Sequence, residues 1–467
     1  MTKTIAAIAT SQSPGGIGVV RISGPAAIFI AKRLFCPKNT INWSALTGYS
    51  MHYGVLHESA SPQNLSNNLT TSPNSLIDEC ICLIFRAPRS YTGEDVVEFQ
   101  CHGGAAIMQR ALRAIFAAGA SPAEPGEFTR RAFLNSRIDL TEAEAVMQLI
   151  SASGEQAARA ASAAMGGALS QKISAVRAQL ISLQAHISAW VDYPEDDIPA
   201  LQASELTQTL ATAIADLRLL LNNAPRDQLM LSGVNTALLG KPNVGKSSLM
   251  NLLAGYDRSI VTNIPGTTRD TVTETVNLGS LTLRLTDTAG IHATQDAVEA
   301  AGVQRSQTAL AQADLLLLVC DASSPLTEED HDLLAQCDQA RTILIRNKCD
   351  LGTCWETQQN EGALPQVEMS ACTGQGLLEL TSAIESLLGA ANFVPHAAIL
   401  ANQRQSNCAT QALAALEEAQ AAQTAGYPLD AISICIEDAI QSLYSLTGEH
   451  ATDSIVDEVF ASFCVGK

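Results

Sequence analysis

Residues 240–248 read Gly240-Lys241-Pro242-Asn243-Val244-Gly245-Lys246-Ser247-Ser248, and a G-x-x-x-x-G-K-S run leaves a chain few folds to choose from. A short apolar run, Thr236 to Leu239, precedes it and another, Leu249 to Leu253, follows. The spacing predicts a strand, a tight turn and a helix. In that setting the glycines let successive backbone N–H groups point at phosphate oxygens. Lys246 would reach the terminal phosphates, Ser247 would ligate magnesium, and the helix start adds partial positive charge. Read this way, Asn243, Val244, Gly245, Lys246, Ser247 and Ser248 line a nucleoside-triphosphate site.

At 467 residues the chain exceeds what one core supports, and its length suggests about three domains. A hydrophobic content of 46% with 16% charged residues marks a folded, soluble chain. No apolar run approaches the roughly 20 residues that a membrane span needs. Met1 to Thr10 lacks the features of a signal or transit peptide, so the expectation is a cytoplasmic protein with no membrane attachment. Twelve cysteines without a repeated C-x-x-C spacing argue for reduced, mostly buried thiols rather than metal ligands. Cys80 and Cys82 have the alternate spacing of one strand face. The net charge of −19 opposes generic nucleic-acid binding. Residues 1–137, however, hold twelve Lys/Arg against eight Asp/Glu, a balance of +4 that leaves −23 for the rest. An RNA partner would meet the N-terminal region, although solubility is the ordinary explanation of such an imbalance.

Along the chain, residues 1–123 alternate β-type runs with turns, namely Ile17 to Ile22, Cys80 to Phe85 and Asp95 to Gln100. Ser59 to Ser75 reads as a surface loop, and Ala105 to Ala118 as a helix. This predicts a small α+β domain. Past the turn at Pro122 to Gly126 the composition changes to Ala, Leu, Ser and Gln. Leu140, Ala143, Val146, Met147 and Ile150 form one helical stripe, and Ile173, Val176, Leu180, Leu183 and Ile187 another, with a break at Asp192-Tyr193-Pro194. Residues 228–390 alternate strand-like runs, such as Leu315 to Val319 and Thr342 to Arg346, with helices, as a doubly wound α/β domain does. Helical composition returns in Gln403 to Gln423 and Leu429 to Leu446. The fold expected is therefore multidomain. An α+β domain over 1–123 is followed by a discontinuous α-helical domain over 124–227 and 391–467, with an α/β P-loop domain inserted at 228–390.

Within the inserted domain Asp287-Thr288-Ala289-Gly290 follows the run Leu281 to Thr286. Its aspartate would hold magnesium through water, and its glycine N–H would sense a third phosphate. Gly266-Thr267-Thr268-Arg269-Asp270 lies between the two phosphate elements, with the Thr268 hydroxyl placed to complete the magnesium shell. Asn347-Lys348-Cys349-Asp350 ends a strand, where Asp350 would accept two parallel hydrogen bonds from guanine that adenine cannot supply. Met369-Ser370-Ala371-Cys372 would offer backbone N–H groups to the base carbonyl. Four elements in this order make the ligand GTP.

Hydrolysis is harder to place. The position after Asp-Thr-Ala-Gly, often a water-orienting glutamine, is Ile291, which neither donates nor accepts. Gln295, Asp296 and Glu299 are the nearest candidates to position the water. No arginine is evidently placed as a finger, although Arg269 is close in sequence. The Asn243 side-chain oxygen could instead ligate a monovalent cation standing where a finger's charge would be.

With these motifs in view, the chain resembles the MnmE (TrmE) family of tRNA uridine-modification GTPases, essentially end to end. Its marks outside the nucleotide motifs are Tyr91-Thr92-Gly93-Glu94-Asp95, Cys101-His102-Gly103-Gly104, Pro125-Gly126-Glu127-Phe128, Arg131-Ala132-Phe133-Leu134-Asn135 and Phe463-Cys464-Val465-Gly466-Lys467. The resemblance implies an N-terminal folate-binding and dimerisation domain, a helical domain and an inserted GTPase domain. It implies that Thr262-Asn263-Ile264-Pro265-Gly266-Thr267-Thr268 joins the GTP site. Potassium would be held at Asn243, Thr262, Ile264 and Thr267, with magnesium at Ser247 and Thr268. Glu299 takes the water-positioning role by match. Folate positions fall on Arg21, Glu98, Arg137 and Lys467; Arg137 stands where the family carries a lysine, and the two cations are not equivalent. Cys464 is a candidate catalytic residue, with packing or positioning the stronger reading because nothing in the sequence lowers its pKa.

The resemblance further implies a homodimer that pairs with the FAD protein MnmG as a heterotetramer. With a 5,10-methylene- or 5-formyl-tetrahydrofolate donor, it would build an aminomethyl-type group on C5 of the tRNA wobble uridine. The alternative class is a regulatory or ribosome-assembly GTPase with no base-modifying role, in which the N- and C-terminal marks would have no task.

Overall fold

The computed structural model describes residues 3–11, 13, 15–58, 76–192, 202–256, 273–287, 313–355, 364–461 and 463–466. Two compact units emerge, residues 1–147 with 444–467, and residues 148–443. Contact thus groups the start of the helical composition, 124–147, and the last residues with the N-terminal sheet. The run Ser59 to Ser75 lies outside the described residues.

The first unit holds a seven-stranded sheet in the spatial order Phe35–Pro37, Tyr49–His57, Leu76–Phe85, Val96–His102, Ile17–Ser23, Ile5–Ile8 and Ser121–Pro122. All neighbouring pairs are antiparallel except the last. Alternation explains its faces. Val20, Ile22, Val97 and Phe99 are buried in one core with the helices Ala27–Leu34 and Ala105–Ala117. The intervening Arg21 and Glu98 belong to the other side of the pleat. Cys80, Cys82 and Cys101 are buried in the helix-covered core. Of the twelve cysteines, all of them free thiols, only these and Cys320 are buried. The expectation of mostly buried thiols is corrected: Cys354, Cys372 and Cys464 are exposed, because loop positions give a thiol nothing to pack against.

On the far side of the turn, the helices Leu140–Ser151 and Asp453–Ala461 meet through Leu140, Ala143, Val456, Phe460 and Phe463. The strand-like bridge Pro125–Val465 ties the chain's last described residues to the end of the N-terminal domain. Gly126 allows this approach. Its φ is +66°, and a Cβ there would lie 2.8 Å from the Phe463 Cβ.

The second unit combines long helices with a six-stranded sheet. Helix Ala203–Ser232 buries Leu206, Leu210, Ala213, Leu217, Leu220 and Ala224 at three- and four-residue spacing. It packs along Gln403–Thr424, which buries Ala409, Ala412, Leu416 and Ala419. This helix runs five residues past position 227, where composition had placed a boundary, and contains Pro225. Gly233, at φ +83°, stops it. Gln228 Nε2 donates to the Leu400 carbonyl (3.2 Å) and Ser406 Oγ (3.0 Å), joining the chain leaving the helices to the chain returning.

The sheet order is Gln366–Glu368, Thr342–Asn347, Leu315–Asp321, Val234–Leu239, Leu281–Asp287, Thr273–Leu278, parallel except for the last pair. Leu315 to Cys320 are all buried, as a central parallel strand covered on both faces requires. Helix Lys246–Tyr256 contributes Leu249 and Leu253 to the same core. Among the described residues no helix is long and apolar enough to cross a membrane.

Candidate functional site

Strand Val234–Leu239 delivers the glycine loop to the start of helix Lys246–Tyr256. Packing, as well as turn geometry, demands its glycines. A Cβ on Gly240 would lie 2.2 Å from the Val319 carbonyl oxygen, and one on Gly245 2.2 Å from Asn347 Nδ2. Asn243 is exposed with a left-handed φ of +64°. Ser247 and Ser248 are exposed in the first turn of the helix. Lys246 is buried, and its ammonium donates to the carbonyls of Gly240 (2.5 Å) and Lys241 (2.6 Å). Oxygen acceptors thus already surround it.

The loop Asn347 to Asp350, read from the sequence as the base-recognition element, is built against the same turn. Asn347, 1% exposed, donates from Nδ2 to the Val244 carbonyl (2.8 Å) and accepts at Oδ1 from the Ala371 N–H (2.9 Å). One side chain therefore clamps three of the motifs read from the sequence. Of the amides expected to face the base carbonyl, that of Ala371 donates to Asn347 and that of Ser370 to the Gln375 carbonyl. A buried asparagine must have its polar atoms satisfied. Lys348, at φ +64°, donates to Asp321 (2.6 Å). Burial pushes the Asp321 carboxyl up, but hydrogen bonds from Lys348 and Ser323 outweigh it and hold the group below its usual range. Asp350 is exposed in the short 3-10 turn Cys349–Leu351, and Cys372 is exposed as well. Asp287 closes its strand in register with Leu238. Thr262, Asn263, Ile264, Pro265, Gly266, Thr267, Thr268, Thr288, Ala289, Gly290 and Glu299 lie outside the described residues. Among the described residues no group of three His, Cys, Asp or Glu is arranged to hold a metal.

A second site forms in the first unit, on the sheet face away from the helices. Arg21 and Glu98 are direct cross-strand partners and form an ion pair of 2.6 Å. The guanidinium lies 5.6 Å from the Phe128 ring centroid and 5.8 Å from that of Tyr91, and its Nη1 donates to the Gly466 carbonyl (3.5 Å). Around this pair the residues quoted for the family resemblance converge. Glu94 accepts from Ser23 Oγ (2.7 Å) and Arg131 (3.0 Å), and Arg131 also reaches Glu127 (2.7 Å). The Tyr91 hydroxyl shares a hydrogen bond with Thr129 Oγ1 (2.9 Å), and Asn135 donates to the Thr92 carbonyl (2.6 Å). Burial pushes the Tyr91 phenol up, more than Thr129 and Arg21 pull it down. The Gly126 N–H donates to the Cys464 carbonyl (3.3 Å) while the Cys464 side chain is exposed. Arg137 is exposed, and Lys467 is outside the described residues.

Residues 4–137 match the family described as GTP-binding protein TrmE N-terminus, and residues 140–464 match the MnmE helical domain. The chain belongs to the MnmE family. The tRNA modification GTPase MnmE of Symbiobacterium thermophilum is 40% identical over 100% of this chain and 99% of its own. That of Synechococcus sp. strain JA-3-3Ab is 41% identical at the same coverage. Among solved structures, the G domain of the T. maritima FeoB iron transporter is 29% identical, covering 33% of this chain and 98% of that one with a TM-score of 0.25. Sequence reasoning did not anticipate Asp321 as the partner of Lys348, nor Asp330 as that of Lys241. The Thr327-x-x-Asp330 spacing of a helix capping box was the available signal for the second.

Proposed function

We propose that this chain is a potassium-activated GTPase that acts with the FAD protein MnmG on the wobble uridine of certain tRNAs, adding a carboxymethylaminomethyl or aminomethyl group at C5. The observation that carries the reading is the Asn347 clamp, which joins the phosphate loop to the base-recognition loop as a guanine nucleotide site requires. Family membership supports the tRNA-modifying role. The proposed domains are 1–123 for tetrahydrofolate binding and dimerisation, 124–227 with 391–467 as the helical domain, and 228–390 as the GTPase domain.

On this reading Lys246 exchanges two loop carbonyls for phosphate oxygens when GTP enters. Asp350 accepts from the guanine edge, and Lys348 stays aligned through Asp321. Ser247 and Thr268 would hold magnesium, and Asn243, Thr262, Ile264 and Thr267 potassium. The exposed, left-handed Asn243 fits a loop position whose side chain faces a ligand. These cations supply charge that stabilises the phosphoryl-transfer transition state. Glu299 orients the attacking water in place of the residue that Ile291 cannot provide.

In the first unit, the Arg21–Glu98 pair, with the Phe128 and Tyr91 rings 5.6 and 5.8 Å from the guanidinium, offers charge, hydrogen bonding and flat apolar surface. That donor set fits the pterin of a tetrahydrofolate, and Arg137 and Lys467 would add cationic contacts. Cys464 positions the C-terminal segment. The working state is a cytoplasmic homodimer within a heterotetramer with MnmG. GTP turnover measured in potassium and in sodium tests the activation: the rate should fall strongly in sodium, and equal rates would remove Asn243 from its cation role.

A further inference from the structure

The phosphate-loop pattern leaves position 241 open, yet here it is a lysine whose ammonium is bonded outside the loop. Lys241 Nζ lies 2.5 Å from Asp330 Oδ2 and donates to Thr327 Oγ1 at 2.7 Å. Asp330 belongs to helix Glu328–Gln336, and its carboxylate also caps that helix by accepting from the Thr327 N–H and hydroxyl, both at 2.9 Å. The Asp330 side chain is 5% exposed and that of Lys241 21%. Burial pushes the Asp330 carboxyl up, and the bonds from Lys241 and Thr327 outweigh it, so the group sits below its usual range. Both side chains are largely withdrawn from water.

We propose that Asp330 is a positioning residue of the nucleotide site, which by holding the Lys241 ammonium fixes the limb of the loop that carries Asn243 and shelters Lys246. The chain itself transmits the constraint. The Lys241 carbonyl is one of the two acceptors of Lys246. Pro242, next in sequence, has a fixed φ, and Asn243 follows in the left-handed region. With a stiff residue between them, displacing Lys241 must swing Asn243 and withdraw an acceptor from Lys246. No nucleotide contact is needed from either member of the pair. Removing one member strands a buried charge.

This inference rests on the guanine-nucleotide reading of the site. The test uses the full chain and the release of N-methylanthraniloyl-GDP followed by stopped flow, for wild type, Asp330→Asn, Lys241→Met, their double variant, and Lys241→Arg. Asp330→Asn keeps an oxygen for the Thr327 cap. Each single variant should release nucleotide about tenfold faster, the double no faster than either single, and Lys241→Arg should stay within about twofold of wild type. Release at the wild-type rate in a folded single variant would overturn the proposal, as would single effects that multiply in the double variant. If one single variant does not fold, the other decides. A wild-type chain that fails to bind the probe would instead contradict the nucleotide site itself.

Discussion

The ammonium of Lys246 is held at 2.5 and 2.6 Å by carbonyls of its own loop, so on the proposed reading nucleotide capture would exchange acceptors and not order a loose side chain. Catalysis demands a further residue because Ile291 has no polar group. Glu299→Ala should leave GTP affinity unchanged and abolish most turnover, measured by equilibrium binding and phosphate release; retained hydrolysis would refute its role. His57 is a different kind of residue. It is buried at the end of strand Tyr49–His57, its Nδ1 has no hydrogen-bond partner among the described residues, and burial lowers its pKa. Below the ordinary histidine value of about 6.5 the unfolded chain takes up a proton that the folded chain resists. Stability should therefore be fully present above that pH and fall as pH drops through it. Thermal midpoints of wild type and His57→Leu, compared at neutral and mildly acidic pH, should show a smaller acid loss in the variant.

Elements that announce themselves by one period were legible from the chain. Leu315 to Cys320 is apolar at every position and forms a central parallel strand, and Ile173, Val176, Leu180, Leu183 and Ile187, read as one helical stripe, are buried along helix Ala168–Asp192. Strand Tyr49–His57 escaped because Tyr49, Met51 and Tyr53 are exposed on one face while Gly54 and His57 are buried, which blurs the alternation. The extension of helix Ala203–Ser232 escaped because composition puts the boundary at 227, whereas the helix continues through Ser232 past Pro225. The C-terminal segment belongs to the same scale. Gly126 holds φ +66° against Phe463, so Gly126→Ala should destabilise the first unit by about 1–2 kcal/mol. A lower unfolding midpoint and faster proteolysis of the last residues would show it; an unchanged midpoint would mean that the segment docks without this turn.

At the scale of the whole molecule, two sites stand in two compact units. Local pattern was enough to infer the nucleotide site, because phosphate chemistry requires its residues at short spacing. The Arg21–Glu98 site is assembled from segments around Tyr91, Pro125, Arg131 and Val465, and only the folded chain brings those together. Arg21 and Glu98 alone read as ordinary surface charges, since nothing in one strand's sequence names its neighbour in the sheet. On the proposed reading this second site holds the one-carbon donor, a task that a simple regulatory GTPase would not have. The deciding measurement is mass spectrometry of tRNA nucleosides from cells lacking the gene. The modified wobble uridine should disappear and return with the wild-type gene. An unchanged nucleoside profile in the deletion strain would contradict the modification role.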